Sequence, residues 1–290
     1  MRTRPADVAA NAEIVVDRPK RAPAKSRRGR NRVHRFYLNH LRLILGICGI
    51  LLVLIPWEIL VQIGAVKRVL LSSPTAVAGT LVREFSAGTL WDDIGATLFV
   101  WILGFSIASV LGILLGLVAG WYRRARYVAQ PWLQALYAAP DLAFVPIFIL
   151  WFGLGVPFKV WVVFLGVIFF ITLNTMAGVQ ATEGRFLNVA KTFGAGRAKT
   201  FRTIVLPGSV PYIMTGLRQA SGRAIVGTVG AEFISANQGL GFVISVSGQT
   251  LNTSRVMVGI ILLASFGIIT NELLGRVEQR FEVWRRDVHG

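Results

Sequence analysis

The stretch TLFVWILGFSIASVLGILLGLVAGWY, residues 97–122, is uncharged throughout and decides the fold class. It is longer than the roughly 20 apolar residues that a helix needs to cross the hydrocarbon core of a bilayer. Further segments of similar length are mainly apolar, so the chain is predicted to be an all-α membrane protein with about six transmembrane helices. The predicted spans are residues 43–63, 97–122, 127–152, 160–179, 210–234 and 256–274.

The composition agrees with a membrane protein and excludes most soluble classes. Hydrophobic residues make up 54% of the 290 residues and charged residues 16%, against about 25% charged residues in a typical soluble chain. Cys48 is the single cysteine, which excludes a disulfide framework and a cysteine metal site. The three histidines lie outside the predicted spans. We therefore expect no catalytic residue, no metal site and no cofactor bound by this chain itself.

The first 39 residues differ in composition from the rest of the chain. They carry eleven basic side chains, three acidic side chains and three prolines, without a sustained apolar period. This composition predicts a disordered basic cytoplasmic tail over residues 1–39 that contacts anionic lipid. A nucleic-acid-binding arm would need interleaved aromatic residues, and a signal peptide would need an apolar core. Residues 40–290 are expected to form the transmembrane domain.

The strongly basic segments all fall on one side of the predicted membrane. Residues 123–126, residues 180–208 and the C-terminus are rich in Arg and Lys, as the N-terminal tail is. Cytoplasmic loops are enriched in these residues, so both termini are predicted to be cytoplasmic. Residues 64–96, 153–159 and 235–255 are then expected to lie outside.

One outer loop is predicted to contain a helix. Ser73 is a typical N-cap residue, and Pro74 follows it at the first helical position. Val77, Leu81 and Phe85 recur every four residues and define an apolar face. We expect this amphipathic helix either to anchor at the membrane interface or to form a docking ledge for an outside partner.

The inner loop of residues 180–208 has helical order although it is too polar to span the membrane. Gly194 follows an apolar helical face, at a position where helices often end with glycine. A second short helix is predicted to stop at Leu206-Pro207, because proline disfavours helix at the preceding residue. The apolar face of the first helix consists of Phe186, Val189, Ala190 and Phe193.

The sequence of this loop resembles a known motif. From Asn188 the chain reads NVAKTFG, then nine residues, then IVLP, and this is similar to the E-A-A-x3-G-x9-I-x-L-P loop of ABC importer permeases. Asn188 stands where that family has glutamate, and Val189 stands where it has its first alanine. The matching residues are Ala190, Gly194, Ile204, Leu206 and Pro207.

Further stretches resemble the branch of these permeases that carries nitrate, taurine and alkanesulfonates. The resemblance covers roughly residues 40–285. It implies a type I ABC importer permease fold in a bacterial inner membrane, a homodimer, two ATPase subunits that bind ATP and Mg, and a periplasmic or lipid-anchored solute-binding protein. The similar stretches are LSSP (71–74), APDLAFVP (139–146), LWFGLG (150–155), PGSVPYI (207–213), AE (231–232) and GLG (239–241).

The chain lacks the G-x4-G-K-[ST] phosphate loop, so it cannot bind ATP by that route. The resemblance assigns ATP hydrolysis to partner subunits, and it assigns the five matching loop residues to ATPase coupling. Small residues at positions 190, 194 and 195 are expected to let the first short helix sit in a groove on such a partner. Movement there should reach the fifth span through Leu206-Pro207.

Charges inside the predicted spans are costly, so each of them is a candidate for function. Asp141 follows Pro140, where a broken helix exposes backbone groups. Arg218 and Arg223 are five residues apart, which corresponds to about 140° on a helical wheel. We expect one of them to contact an anionic solute and the other to snorkel or to pair with Glu232 or Asp141. The candidate translocation-pathway residues are Asp141, Arg218, Arg223 and Glu232.

Two other classes of membrane protein fit the sequence less well. A secondary transporter is expected to show an internal repeat and paired acidic residues at mid-membrane, and we find no clear repeat. An intramembrane protease needs a catalytic set with histidine or a metal, and no predicted span contains histidine. The basic residues of the fifth span favour an anionic solute such as a sulfonate, taurine or nitrate, whereas related permeases carry pyrimidine or vitamin precursors.

Overall fold

The computed structural model describes residues 28–182, 184–234 and 238–286, which contain helices and loops and no strand. The chain divides into two compact units, Met1–Pro56 and Trp57–Gly290. In chain order the helices are α1 (Arg28–Gln62), α2 (Pro74–Ser86), α3 (Thr89–Trp121), α4 (Arg123–Ala138), a 3₁₀-helix (Asp141–Phe144), α5 (Val145–Phe152), α6 (Val156–Gln180), α7 (Gly184–Thr192), α8 (Arg197–Thr200), a π-helical turn (Phe201–Val205), α9 (Leu206–Ile234), α10 (Leu240–Gln249) and α11 (Thr253–Arg286).

All six predicted spans are helical. Within the described ranges, four helices are long and apolar enough to cross a membrane, namely α1, α3, α6 and α11, and a fifth crossing results if α4 and the 3₁₀–α5 segment are one broken span. The remaining predicted span, α9, is 29 residues long and carries three charged residues, which lower its mean hydropathy. The prediction of an all-α membrane fold is confirmed.

Helix α6 forms the centre of the second unit, where α3 and α9 pack against it. Val163, Val167 and Ile171 of α6 are fully buried. Small residues of the neighbouring helices, Ala108 of α3 and Ala224 of α9, belong to the same core cluster. Small side chains bring helix backbones close together, which is how membrane helices gain packing contacts without a hydrophobic driving force between them.

A stripe of glycines on α3 allows the close approach of α6. A Cβ atom on Gly116 would lie 2.5 Å from the Cβ of Thr175 and 2.7 Å from the carbonyl oxygen of Thr172. A Cβ atom on Gly104 would lie 2.8 Å from the Cβ of Val163. The stripe follows the small-xxx-small pattern of packed membrane helices. Its glycines, all of which face α6, are Gly104, Gly112, Gly116 and Gly120.

The third predicted span is broken at Pro140. The axis bends by 92° between α4 and the segment that begins at Asp141. Pro140 has a φ of −64° and a ψ of 116°, and Ala139 before it is extended, as is usual for a residue that precedes proline. The break places Asp141 at the start of the 3₁₀-helix.

Helix α2 begins as predicted, and its apolar face packs against other helices of the chain. Ser73 is the N-cap, and its Oγ accepts a hydrogen bond from the N–H of Ala76 at 3.3 Å. The apolar face packs against α3 and α11 in a cluster that includes Val77, Leu90 and Val258. The apolar face of α2 is therefore occupied within the chain, and any interfacial anchoring or docking of an outside partner, which stay predictions, would use its other face.

One predicted boundary, the end of the N-terminal tail, is corrected by the structure. Helix α1 begins at Arg28, so residues 28–39 of the predicted disordered tail are helical. No proline lies between Pro23 and Pro56, and arginine is a good helix former. The rest of the predicted tail, residues 1–27, lies outside the described residues. The predicted outer loop of residues 235–255 contains α10, which at 10 residues is too short to span a bilayer.

Candidate functional site

The inner loop contains the first short helix where the sequence predicts it. Helix α7 ends in a Schellman motif, in which the N–H of Ala195 donates to the carbonyl of Ala190 at 2.9 Å and the N–H of Gly194 donates to the carbonyl of Lys191 at 2.9 Å. Gly194 has a φ of +68°, the left-handed conformation that glycine adopts without a Cβ penalty. The predicted helix end at Gly194 is confirmed.

The exposed surface of α7 differs from the predicted one. Ala190 is buried within the chain and exposes 7% of its surface, whereas Val189 exposes 52% and Phe193 exposes 84%. Residues 189 and 193 are one helical turn apart and share a line along the helix, while residue 190 is rotated by about 100° from residue 189. The prediction that Ala190 offers a shallow contact to a partner is therefore wrong. We call the exposed surface formed by Val189, Phe193 and Gly194 the α7 ridge.

The second short helix does not stop at Leu206-Pro207. Helix α8 continues through the π-helical turn directly into α9, and the N–H of Leu206 bonds to the carbonyl of Phe201, five residues back. A π-turn widens the helix locally, which relieves the clash that a proline ring makes with the carbonyl of the preceding turn. The predicted stop is wrong. The matching residues Ile204, Leu206 and Pro207 lie on one continuous helix that leads into the fifth predicted span.

An aromatic contact joins the π-helical turn to the end of α3. The rings of Phe201 and Trp121 meet edge to face, with 5.3 Å between their centroids. At the same end of α3, Arg126 Nε donates to the carbonyl of Ala119 at 3.2 Å, and its Nη2 bonds to the carbonyl of Gly120. These bonds satisfy carbonyl groups that the end of a helix leaves unpaired. The inner loop is therefore attached to the helix that packs on α6.

Asp141 and Arg223 form an ion pair at the broken span. Arg223 Nη2 lies 3.6 Å from Asp141 Oδ1, and the guanidinium carbon lies 4.7 Å from the centre of the Phe170 ring. Arg223 Nε is buried without a hydrogen-bond acceptor among the described residues. Gly166 leaves space for the carboxylate, because a Cβ atom there would lie 2.5 Å from Asp141 Oδ2. The predicted pairing of one arginine with an acidic residue is confirmed.

Arg218 contacts a different helix, α11. Its Nε donates to Asn271 Oδ1 at 2.9 Å, and its Nη1 donates to Glu278 Oε2 at 3.2 Å. Glu278 also accepts a hydrogen bond from Thr215 Oγ1 at 2.8 Å. The two arginines of α9 thus point to different neighbours, as their angular separation predicts. Sequence reasoning missed Asn271 and Glu278, since nothing local marks them as partners of α9.

Glu232 is fully buried, and it fixes the start of α10. Its carboxylate accepts hydrogen bonds from the N–H of Gly241 at 2.8 Å and from Thr97 Oγ1 at 2.9 Å. The same Thr97 Oγ1 accepts a hydrogen bond from the N–H of Leu240 at 2.8 Å. The free N–H groups at a helix N-terminus stabilise a carboxylate. The AE and GLG stretches of the sequence are therefore parts of one structural unit.

Lys159 is a buried charge that sequence reasoning missed. It is 4% exposed, and its Nζ donates to the carbonyl of Gln238 at 3.1 Å. Asp93 accepts a hydrogen bond from the N–H of Gly239 at 2.9 Å. Residues 238–241 are therefore attached to α3, α6 and α9. A cavity of about 510 Å³ opens beside Lys159, and its lining includes Trp91, Asp92, Phe99, Lys159 and Gln238.

A search of the described part of the chain for metal ligands finds no group of three or more His, Cys, Asp or Glu side chains that could hold a metal ion.

Comparison with known proteins identifies the family. Residues 108–283 match the family described as "Binding-protein-dependent transport system inner membrane component". The chain is 29% identical over 234 residues to SsuC of Bacillus subtilis, named as an aliphatic sulfonates transport permease, and the match covers 81% of this chain and 85% of that protein. It is 30% identical over 236 residues to the formylaminopyrimidine transport permease protein ThiX of Halalkalibacterium halodurans, with 81% and 94% covered.

The fold is similar to that of a solved transporter. The crystal structure of an amino acid ABC transporter matches with a TM-score of 0.55 and 16% identity, over 71% of this chain and 98% of that chain. The likeness shows the type I importer permease fold. The family match includes the inner loop of residues 180–208 together with Asp141, Arg223 and Glu232. The chain therefore belongs to the family of binding-protein-dependent transport system inner membrane components, the permease subunits of ABC importers.

Proposed function

We propose that this inner-membrane permease is driven by two ATPase subunits, which bind ATP and Mg, and that a solute-binding protein delivers its solute from outside. A second copy of the chain is proposed to complete the pathway as a homodimer. The observation that carries the proposal is the uninterrupted helical connection from α8 through the π-helical turn into α9. A displacement of residues 197–205 would move α9 as a rigid body. Arg218, Arg223 and Glu232, which lie on α9, would move with it.

We assign ATPase docking to the α7 ridge. Phe193 exposes 84% of its surface and Val189, one helical turn away, exposes 52%, and such a contiguous exposed apolar surface supports a protein–protein contact. The exposed basic residues Lys191, Arg197 and Lys199 are close to it in sequence, and they would pair with an acidic rim on the ATPase. Ala190 supports the ridge from inside, and Gly194 shapes its end.

Two substitutions on the α7 ridge test this assignment. Phe193→Asp removes the apolar contact, and Gly194→Val places a branched side chain at a φ of +68°, which costs about 1–2 kcal/mol in backbone strain. Both variants should reach the membrane at normal abundance, because the spans lie elsewhere. In detergent, the purified complex should have lost its ATPase subunits or its solute-stimulated ATP hydrolysis.

Val82→Asp is the matched control for Phe193→Asp. Val82 lies on α2 and is 67% exposed, and the loop that contains it is predicted to lie on the opposite side of the membrane. This variant should keep its ATPase subunits. Retention of bound ATPase and of normal uptake by both ridge variants would show that the inner loop is only a connector.

We propose that the four candidate pathway residues have separate roles. Asp141 and Arg223 face the pathway at the broken span. Arg218 attaches α9 to α11 through Glu278. Glu232 fixes the start of α10 and thereby supports the wall of the proposed pathway. This division follows from their partners, because Arg218 makes two hydrogen bonds with α11 and Glu232 is fully buried between helices.

The solute that we propose is small and carries an anionic head, as a sulfonate, taurine or nitrate does. Arg223 supports this class, because its Nε has no acceptor within the described residues. The similar permease SsuC is named for aliphatic sulfonates. ThiX, with comparable similarity, is named for formylaminopyrimidine, so a pyrimidine or vitamin precursor is the alternative. Uptake assays with both solute classes in the complete importer distinguish the two.

A further inference from the structure

The two arginines of α9 differ in how completely their hydrogen-bond donors are satisfied. Arg218 makes two hydrogen bonds of 2.9 and 3.2 Å with side chains of α11. Arg223 lies 3.6 Å from its carboxylate, which is longer than a hydrogen bond, and its Nε is buried without an acceptor in the described part of the chain. A buried donor without a partner costs free energy. Arg223 therefore retains the capacity to bind a further acceptor.

The cavity beside the Asp141–Arg223 pair is too small to hold a solute while the pair is intact. Tyr137 of α4, Gly166 and Phe170 of α6, and the two charged residues line a cavity of about 10 Å³, which has room for one water molecule at most. The side chain of Arg223 is 37% exposed and that of Asp141 is 18% exposed. The pair is thus reachable from outside the core, and a solute could enter the space only if the two side chains separated.

Separation of the pair is costly unless both charges find new partners. The Asp141 side chain is largely covered by the chain, and Nε of Arg223 is buried. Removing one partner of such a pair leaves the other charge uncompensated where it is partly shielded from water, and charges inside membrane proteins are costly. An anionic solute would compensate the charge of Arg223 and leave the charge of Asp141 uncompensated. A cationic solute would compensate the charge of Asp141 and leave that of Arg223 uncompensated. A molecule that carries both an acid group and an ammonium group would compensate both.

We propose that the Asp141–Arg223 pair is a gate that opens to a small zwitterion. The acid group of the solute replaces Asp141 at the guanidinium of Arg223, and its ammonium group replaces Arg223 at the carboxylate of Asp141. The aromatic ring of Phe170, stacked against the guanidinium, keeps Arg223 in place during the exchange. This inference rests on the proposed function, because it requires the chain to form the translocation pathway.

Two probes that differ only in the ammonium group test the proposal. They are 2-aminoethanesulfonate (taurine), a zwitterion, and ethanesulfonate, an anion with the same two-carbon skeleton. Equilibrium binding of each radiolabelled probe is measured on the purified permease–ATPase complex in lipid nanodiscs. The solute-binding protein is left out, so that its own selectivity does not enter the measurement. The complex should bind taurine about tenfold more tightly than ethanesulfonate. This is the difference expected for one added charge-assisted hydrogen bond.

Three variants assign the preference to individual residues. Asp141→Asn should weaken binding of the zwitterion to the level of ethanesulfonate, without changing the affinity for ethanesulfonate itself. Arg223→Gln should weaken the binding of both probes. Arg276→Gln is the control, since it removes an exposed basic side chain of α11 that pairs with Glu272 on its own helix, and it should keep the tenfold preference for the zwitterion. Copurification of the ATPase shows that each variant is assembled, and Arg223→Lys replaces Arg223→Gln if the latter does not assemble.

Other results would contradict the proposal that this pair is a gate. Equal affinity of the wild-type complex for both probes, or binding of neither, would contradict the zwitterion assignment. If the Asp141→Asn variant bound neither probe, the result would show that Asp141 has a structural role and does not recognise the ammonium group. These outcomes leave the proposed function intact, because the Phe193→Asp copurification experiment tests ATPase coupling independently of any solute.

Discussion

Gly239 is the residue on which the burial of Glu232 depends most directly. It has a φ of +121°, and a Cβ atom there would overlap the carboxylate of Glu232. Gly239→Ala should therefore lower the free energy of unfolding by roughly 2–4 kcal/mol, from backbone strain and overpacking together. Thermal unfolding of the purified permease, followed by tryptophan fluorescence, measures the change.

Gly248→Ala is the control at the residue scale. Gly248 lies in α10, the helix that begins directly after Gly239, but an added Cβ atom there would have no side chain and no other helix within 4 Å. Alanine there should leave the unfolding temperature unchanged or raise it slightly, because alanine is the better helix former. Similar unfolding temperatures for both variants would show that the contact between Glu232 and residues 239–241 does not stabilise the fold.

The packing of α3 on α6 is the main interaction between elements. Gly116→Ala would place a Cβ atom 2.5 Å from the Cβ of Thr175, and neither helix can yield without a backbone shift. We expect a destabilisation of about 1–3 kcal/mol from overpacking, seen as faster thermal inactivation and less folded protein in detergent. Gly95→Ala is the control, because Gly95 is on the same helix with no atom within 4 Å of an added Cβ atom. Equal behaviour of the two variants would contradict the close packing of these helices.

The orientation of the whole molecule is predicted from its charge distribution. The single Cys48 is first replaced by serine, and single cysteines are then introduced as Leu70→Cys and Gly196→Cys, both at exposed positions. In intact cells, a membrane-impermeant maleimide should label the cysteine at position 70. The cysteine at position 196 should react only after the membrane is permeabilised, because basic loops stay in the cytoplasm. The reverse labelling pattern would place both termini outside.

Features that depend on neighbouring residues along the chain were predictable from the sequence. The lengths of the apolar stretches determine the spans, because the bilayer sets a minimum length. The cap at Ser73 and the left-handed Gly194 follow from local backbone chemistry. The break at Pro140 follows from the missing N–H and the fixed φ of proline. The loop motif, which lies within 20 residues of sequence, was sufficient to indicate the family.

Only the tertiary structure decided which distant residues meet. It buries Ala190, covers the apolar face of α2, and continues the helix through Pro207 by means of a π-turn. It also pairs Arg223 with Asp141 and Arg218 with Glu278, a distinction that a helical wheel cannot make because both arginines lie on one helix. The two ion pairs depend on the packing of α9 against the 3₁₀-helix and α11, where the free energy of a charge is determined by its partners rather than by its place in the sequence.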